Sequence, residues 1–304
     1  MNSENNALEE LSKQYNDLLS SREYYIGTRY LRHINSIKKL DIKSLLLRFR
    51  KYRTHKRVMK DRSIHRQEVF YNSGEPDYTG AKGVVYTCIT NGYDRLKQPI
   101  FTNENVDYIC FTDNIDKQDA NTKWKVMSIP EEALKHGGRL VNRYCKMHPT
   151  ELFPNYDYAI YIDGNVQTVS DMSYLYSVAK KSKTGIAMHL HSNRNSVYEE
   201  AEACILYKRG NVDQIKELVS SYKEEGFPAE AGLYEATIIV FDLHNENVNR
   251  IMLAWWEELN SKRTNRDQLS FPYVLWKYGY CKDDMGILGN NEYKNYKFII
   301  FKHD

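Results

Sequence analysis

The chain has 304 residues, 41% hydrophobic and 27% charged, so it can bury a sizeable core and exceeds a typical single domain. A formal net charge of +3 provides no field that would gather nucleic acid, and no nucleic-acid partner is expected. No apolar run approaches the ~20 residues of a membrane-crossing helix, and Met1 to Glu10 lacks the basic-then-apolar order of a secretion signal, so a cytoplasmic protein is expected.

Residues 7–21 set Leu8, Leu11, Tyr15, Leu18 and Leu19 at helical spacing on an otherwise charged segment. A second amphipathic stretch carries Tyr30, Leu31, Ile34, Ile37 and Leu40, then Ile42, Leu45, Leu46 and Leu47. Nine basic residues follow between Arg48 and Arg66, opposed only by Asp61. Such a block suits an anionic membrane surface, at about 1 kcal/mol per cation, and equally a solvated helix face or linker. Residues 1–70 are thus read as a helical, basic extension. Residues 24–66 are the candidate membrane-facing part, and the striped helices are a candidate for self-association. Residues 71–82, with Asn72, Ser73, Gly74, Pro76 and Gly80, read as a linker.

From residue 83 to residue 304 the pattern is that of an α/β domain. Apolar, β-rich runs at Gly83–Ile89, Val106–Phe111, Tyr158–Ile162, Gly185–Leu190, Ala236–Phe241 and Tyr296–Phe301 predict strands. Helical periodicity predicts helices at Arg139–His148, Met172–Lys180, Val197–Tyr207, Val212–Glu225, Val248–Leu259 and Gln268–Lys277. This alternation argues for a largely parallel sheet, in which ligands collect beyond the carboxyl ends of strands. Three predicted strands run into polar loops carrying Asp94, Asp113 and Asp163. Cys88, Cys110, Cys145, Cys204 and Cys281 are widely spaced and form no CxxC pair, which points to a reducing compartment. Most of the 25 tyrosines are expected in core edges and sheet faces.

Four clusters carry chemistry. After the strand Tyr158–Ile162, Asp163 and Asn165 flank Gly164. Oxygen ligands of this kind suit Mn²⁺ or Mg²⁺ bridging a carboxylate to a diphosphate, and Asp-Gly-Asn is also a good turn. Arg139, Asn142, Arg143 and Lys146 share one helix face, either as a diphosphate cradle or as a solvated surface. Asp267 and Gln268 open an amphipathic helix, where a carboxylate favours the helix dipole or meets a sugar hydroxyl or the acceptor's proton. His189 and His191 share a strand face without a third zinc ligand at matching spacing, and Glu235 follows a glycine-containing loop that could supply donor-sugar contacts.

In order, Thr90-Asn-Gly-Tyr-Asp94, Phe111-Thr-Asp113, Asn142-Arg-Tyr-Cys-Lys146, Tyr161-Ile-Asp-Gly-Asn165 and Arg266-Asp-Gln-Leu-Ser-Phe271 resemble a glycosyltransferase-like family. That family was long catalogued as a domain of unknown function and occurs in bacterial capsule clusters and plant mucilage-related proteins. The resemblance covers residues 83–285 and implies a GT-A-like fold, a mainly parallel mixed sheet flanked by helices. It implies transfer of a sugar from a nucleotide-diphosphate sugar, UDP-linked, to a glycan or lipid-linked glycan in capsule or surface polysaccharide synthesis. Such an enzyme would sit in the cytoplasm, peripherally on the inner face of the plasma membrane.

A more distant resemblance to glycogenin-like retaining transferases implies Mn²⁺ or Mg²⁺ at Asp163 and Asn165. Here the second ligand is a neutral asparagine, and His303 is a candidate for that group's C-terminal histidine by residue type alone. The implied nucleotide-sugar site comprises Thr90, Asn91, Gly92, Tyr93, Asp113, Arg139, Asn142, Arg143, Lys146, Asp163, Gly164 and Gln268, with Tyr93 stacking on the base. Asp267, Glu235 and His191 are the candidate catalytic residues. Two other readings stay open: a nucleotide-sugar or carbohydrate-binding protein without turnover, and a scaffold subunit of a polysaccharide assembly complex.

Overall fold

The computed structural model describes residues 80–115, 122–261, 266–295 and 297–303, together with Glu10, Leu11 and Gln14. The basic block, the proposed membrane-facing stretch and the body of the striped N-terminal helices lie outside the described residues. Among the described residues no helix is long and apolar enough to cross a membrane.

Seven strands build the main sheet: β1 (Gly83–Ile89), β2 (Val106–Thr112), β3 (Lys125–Ser128), β4 (Tyr158–Ile162), β6 (Ile186–Leu190), β7 (Tyr234–Asp242) and β8 (Gly286–Gly289). Their order is β3-β2-β1-β4-β7-β6-β8, and only β7 runs antiparallel to its neighbours. The expected mainly parallel mixed sheet is therefore the one observed. A separate antiparallel pair joins β5 (Val166–Thr168) to β9 (Phe298–Ile300), so the C-terminal strand lies beside the chain that follows Asp163.

Side-chain alternation divides the core. Val84, Tyr86 and Cys88 of β1 and Ala159 and Tyr161 of β4 pack into one apolar cluster, whereas Val85, Ile89, Tyr158, Ile160 and Ile162 pack into another. All five residues of β4 are buried, as expected of a central strand covered on both faces. The first cluster is closed by α2 (Leu140–Met147), α5 (Val197–Leu206), α6 (Val212–Glu224), α7 (Glu246–Ser261) and α8 (Asp267–Lys277), and the second by α4 (Tyr174–Lys181). Two single-turn helices, α1 (Glu131–Leu134) and α3 (Pro149–Leu152), flank α2. Among the described residues ten tyrosines are buried, among them Tyr86, Tyr158 and Tyr161. All five cysteines are free thiols, four of them buried.

The parallel strands β1, β2, β4 and β6 end along one edge of the sheet. Because β7 runs the other way, it begins there: Tyr234 pairs with Leu190, and Ile238 with Ile162. Glu235, Ala236 and Thr237 are thus placed among the strand-end loops.

Candidate active site

A cleft of about 740 Å³ opens at that edge. Its wall includes Thr90, Asn91, Tyr93, Arg139, Asn142, Arg143, Lys146, Asp163, Gly164, Glu235, Asp267 and Gln268, so three of the four clusters and Glu235 face one hollow.

The loop after β1 is a tight turn in which Asn91 and Gly92 both have positive φ (56° and 62°) and the Tyr93 N–H donates to Thr90 O at 3.1 Å. The turn leaves the Tyr93 ring 63% exposed at the cleft mouth, 5.0 Å from the His303 ring. Asp113 is not on the wall. Its carboxylate accepts the Asn91 backbone N–H at 2.8 and 3.1 Å, so it braces the turn from behind, and Gly92 likewise shapes the turn without lining the hollow.

Gly137 and Gly138, both with positive φ, swing the chain into α2, so that Gly138 and Arg139 reach the cleft at the helix N-terminus. A helix N-terminus facing the cleft favours an anion. Asn142 is anchored to β1 through Cys88 O at 2.6 Å, which directs Arg143 and Lys146 inward.

Lys146 ties the site together. Its buried ammonium donates to Ala236 O of β7 at 3.0 Å and to Asp267 Oδ2 of α8 at 3.1 Å, and lies 3.5 Å from Asp163 Oδ1. Arg143 Nε is 3.3 Å from the same Asp267 oxygen. Burial alone would raise the Asp267 pKa, but Arg143, Lys146 and Arg266 outweigh it and hold the carboxyl well below the usual carboxylate range.

Glu235 behaves in the opposite way. Burial, reinforced by Glu200, pushes its carboxyl up to about 7 against the Gln268 hydrogen bond (2.8 Å) and Arg194. His191 does not line the cleft. It sits behind Glu235, its Nε2 3.5 Å from Glu235 Oε1 and 3.6 Å from Glu200 Oε2, while Nδ1 accepts the backbone N–H groups of Asn193 and Arg194. It can orient Glu235 but does not face a substrate. Glu200 is buried and also receives Arg194 and Arg266, so a carboxylate hub lies under this wall.

Asp163 is 30% exposed, and its Oδ1 accepts the Tyr161 hydroxyl at 2.9 Å. Gly164 is required here, because a Cβ would come within 2.8 Å of Ile89 Cγ1 and 3.2 Å of Asp94 Cβ. Asn165 is buried and off the wall, its Nδ2 donating to Phe301 O at 2.7 Å. Its Oδ1 is buried with no hydrogen-bond partner. The C-terminal segment thus pinned brings His303 Nδ1 to 3.0 Å from Asp94 Oδ1 at the same cleft. Among the described residues no group of three or more His, Cys, Asp or Glu is arranged as a metal cage. An accessible carboxylate, an orphaned amide oxygen and an imidazole nonetheless fit a hard divalent ion completed by substrate phosphate, the usual mode for Mg²⁺.

Three features of the wall escaped the sequence reading. Lys208, Arg209 and Gly210 line the cleft from the turn after α5, and Ala236 and Thr237 line it from β7. Glu292, wholly buried behind Thr237 (Oγ1 to Oε1, 3.3 Å), has its pKa raised well above the usual value by burial, by Glu235 and by Asp163. Lys208 could have been suspected from a basic pair before a helix-terminating glycine. Glu292 carries no local signal.

Residues 72–303 match the family described as TOD1/MUCI70, glycosyltransferase-like domain. Among curated proteins the chain is similar to alkaline ceramidase TOD1 of Arabidopsis thaliana, 22% identical over 223 residues, covering 63% of this chain and 47% of that protein. It is also similar to the probable hexosyltransferase MUCI70 of Arabidopsis thaliana, 26% identical over 215 residues, covering 63% of this chain and 36% of that protein. The chain spans about half, or less, of the length of these relatives. Among solved structures it is similar to the bifunctional glycosyltransferase WbbM (15% identity, TM-score 0.43, 73% of this chain and 41% of that one). A second is the galactosyltransferase LgtC in complex with donor and acceptor sugar analogues (11% identity, TM-score 0.38, 66% and 72%).

Proposed function

The chain belongs to the TOD1/MUCI70 glycosyltransferase-like domain family, and from that premise we propose that it moves a sugar from a UDP-sugar to a glycan or lipid-linked glycan acceptor. One observation carries the reading. A basic wall of Arg139, Arg143 and Lys146 shares a strand-end cleft with an ionised Asp267 and with Glu235, which titrates near neutrality.

In this reading the Thr90–Tyr93 turn receives the base, with Tyr93 free to stack on it. Arg139, Arg143 and the α2 N-terminus face the leaving diphosphate, and stabilising charge that develops there is often the largest catalytic contribution. Asp163, Asn165 and His303 would hold a divalent ion, which supplies further neutralisation of the diphosphate when bound. Asp267, clamped by two cations, is too weak a base to take a proton at neutral pH and instead accepts hydrogen bonds from donor-sugar hydroxyls. Glu235 suits the proton transfer, because an effective general base has a pKa near the operating pH. As the acceptor oxygen bonds to the sugar carbon and the bond to the diphosphate breaks, the acceptor's proton passes to Glu235. Gln268 and His191 keep that carboxyl in place.

The acceptor class is a surface polysaccharide or its lipid-linked precursor, and residues 24–66 would bring the enzyme to an anionic leaflet where such precursors lie. Ceramide hydrolysis, the activity in one relative's name, is not favoured by a cleft wall made largely of charged and amide side chains. Calorimetry of UDP binding with and without Mn²⁺ tests the reading. Binding should weaken about tenfold or more in Arg143→Ala, as expected when a charge-assisted hydrogen bond is lost. Asp163→Ala should remove the increment that Mn²⁺ adds. Absence of UDP binding under both conditions would refute the donor assignment.

A further inference from the structure

We propose that a groove between the Pro228–Ala231 turn and the Trp276–Asp283 segment binds a neutral pyranose unit of the acceptor glycan, remote from the point of transfer. The inference rests on the transferase reading for its purpose, but not for its geometry. The groove measures about 370 Å³, within the range of small-ligand sites, and is lined by Pro228, Pro272 and Trp276 with Glu230, Lys282 and Asp283.

Trp276 is half-buried, its ring held against Phe227 (5.6 Å between centroids) and Tyr273 (5.9 Å). Trp255 donates its indole N–H to Asp267 O and Ser270 Oγ, whereas the Trp276 N–H has no partner among the described residues. A fixed aromatic ring with an available donor, next to carboxylates, matches a sugar ring, which offers an apolar C–H face and hydroxyls around its edge. The wall is firmly backed, since the Gly232 backbone packs so that a Cβ there would lie 3.6 Å from the Tyr234 hydroxyl and 3.8 Å from Lys282 Cδ, ordinary contact distances.

Charge selects the occupant. Glu230 and Asp283 outnumber Lys282, so the groove disfavours the phosphates and acidic groups that the main cleft attracts. Distance from the cleft supplies the link to an acceptor. Helix α8 runs from Asp267 at the cleft to Trp276 at the groove, about 14 Å at 1.5 Å per residue, and Ala231 is four residues from Glu235. A glycan several units long, with its reacting end by Glu235, spans that distance.

Saturation-transfer NMR of the full chain with cellohexaose, maltohexaose and mannohexaose tests the site. At least one should bind, should persist in saturating UDP and in Asp267→Asn, and should weaken about fivefold or more in Trp276→Ala, as for loss of an aromatic contact. Trp276→Phe should retain most of the affinity, and UDP binding should be unchanged in both Trp276 variants. The proposal is overturned if no hexasaccharide binds, if Trp276→Ala has no effect, or if UDP displaces the sugar. Occupancy by a peptide from residues 1–79, without sugar binding, would overturn it as well. Lack of UDP binding alongside intact Trp276-dependent sugar binding would count against the donor reading only.

Discussion

Replacing Glu235 with glutamine keeps the side chain's size and its contact with Gln268 while removing a titratable group whose pKa rises from 4.5 to about 7 in the fold. At 1.36 kcal/mol per pKa unit, that rise corresponds to about 3 kcal/mol. Its sign follows from proton binding. Between pH 4.5 and pH 7 the folded chain keeps a proton that the unfolded chain has released, so wild-type stability falls as pH rises through that window and levels off above about 7. Glu235→Gln lacks this term. Urea unfolding of both proteins from pH 4 to pH 8 should therefore give a difference curve in which the wild type loses about 3 kcal/mol relative to the variant. Taking the difference cancels other titrating groups common to the two, except where they couple to Glu235, as Glu292 does. Transfer activity should rise through about pH 7 in the wild type and lose that limb in the variant. Parallel stability curves would show that burial does not hold the Glu235 proton, and the assignment of Glu235 as base would fall with it.

Lys146→Ala should destabilise the chain by about 3–5 kcal/mol in urea unfolding, because it leaves the buried Asp267 carboxylate short of a partner. Gly164→Ala should cost about 1–3 kcal/mol through overpacking against Ile89 and Asp94, and calorimetry should show weaker UDP binding as the Asp163 loop shifts. Asp267→Asn should lower transfer by about 10²-fold or more in steady-state kinetics with UDP affinity nearly intact; equal loss of both would instead mark a folding role.

Much of this site is legible in the amino-acid sequence, because its residues sit on strongly patterned elements. The apolar run Tyr158–Ile162 could only be a buried strand, which fixed Asp163 at a sheet edge. The spacing of Arg139, Asn142, Arg143 and Lys146 could only present one helix face. What spacing could not show was which cation meets which carboxylate. Lys146 reaching across to Asp267 joins residues 121 apart, and that contact separates the two carboxylates into an ionised one and a proton-holding one. Spacing alone puts His191 on the substrate side, whereas its ring lies behind Glu235, beyond a strand whose register shifts at Met188 and His189. The tie of Asn165 to Phe301 is invisible for the same reason, because it spans 136 positions. The strands Lys125–Ser128, Val166–Thr168 and Gly286–Gly289 were missed because three or four residues, partly polar or glycine-bounded, give no periodicity to read.

Turnover on a panel of nucleotide sugars, followed as release of nucleoside diphosphate by the purified 304-residue chain with Mn²⁺ present, bears most directly on whether this cleft is a transferase site. At least one UDP-sugar should be consumed, faster with a glycan acceptor present, and Asp267→Asn and Glu235→Gln should each suppress that consumption. Intact, UDP-binding protein that consumes none of the donors would contradict catalysis and leave a nucleotide-sugar-binding domain in its place.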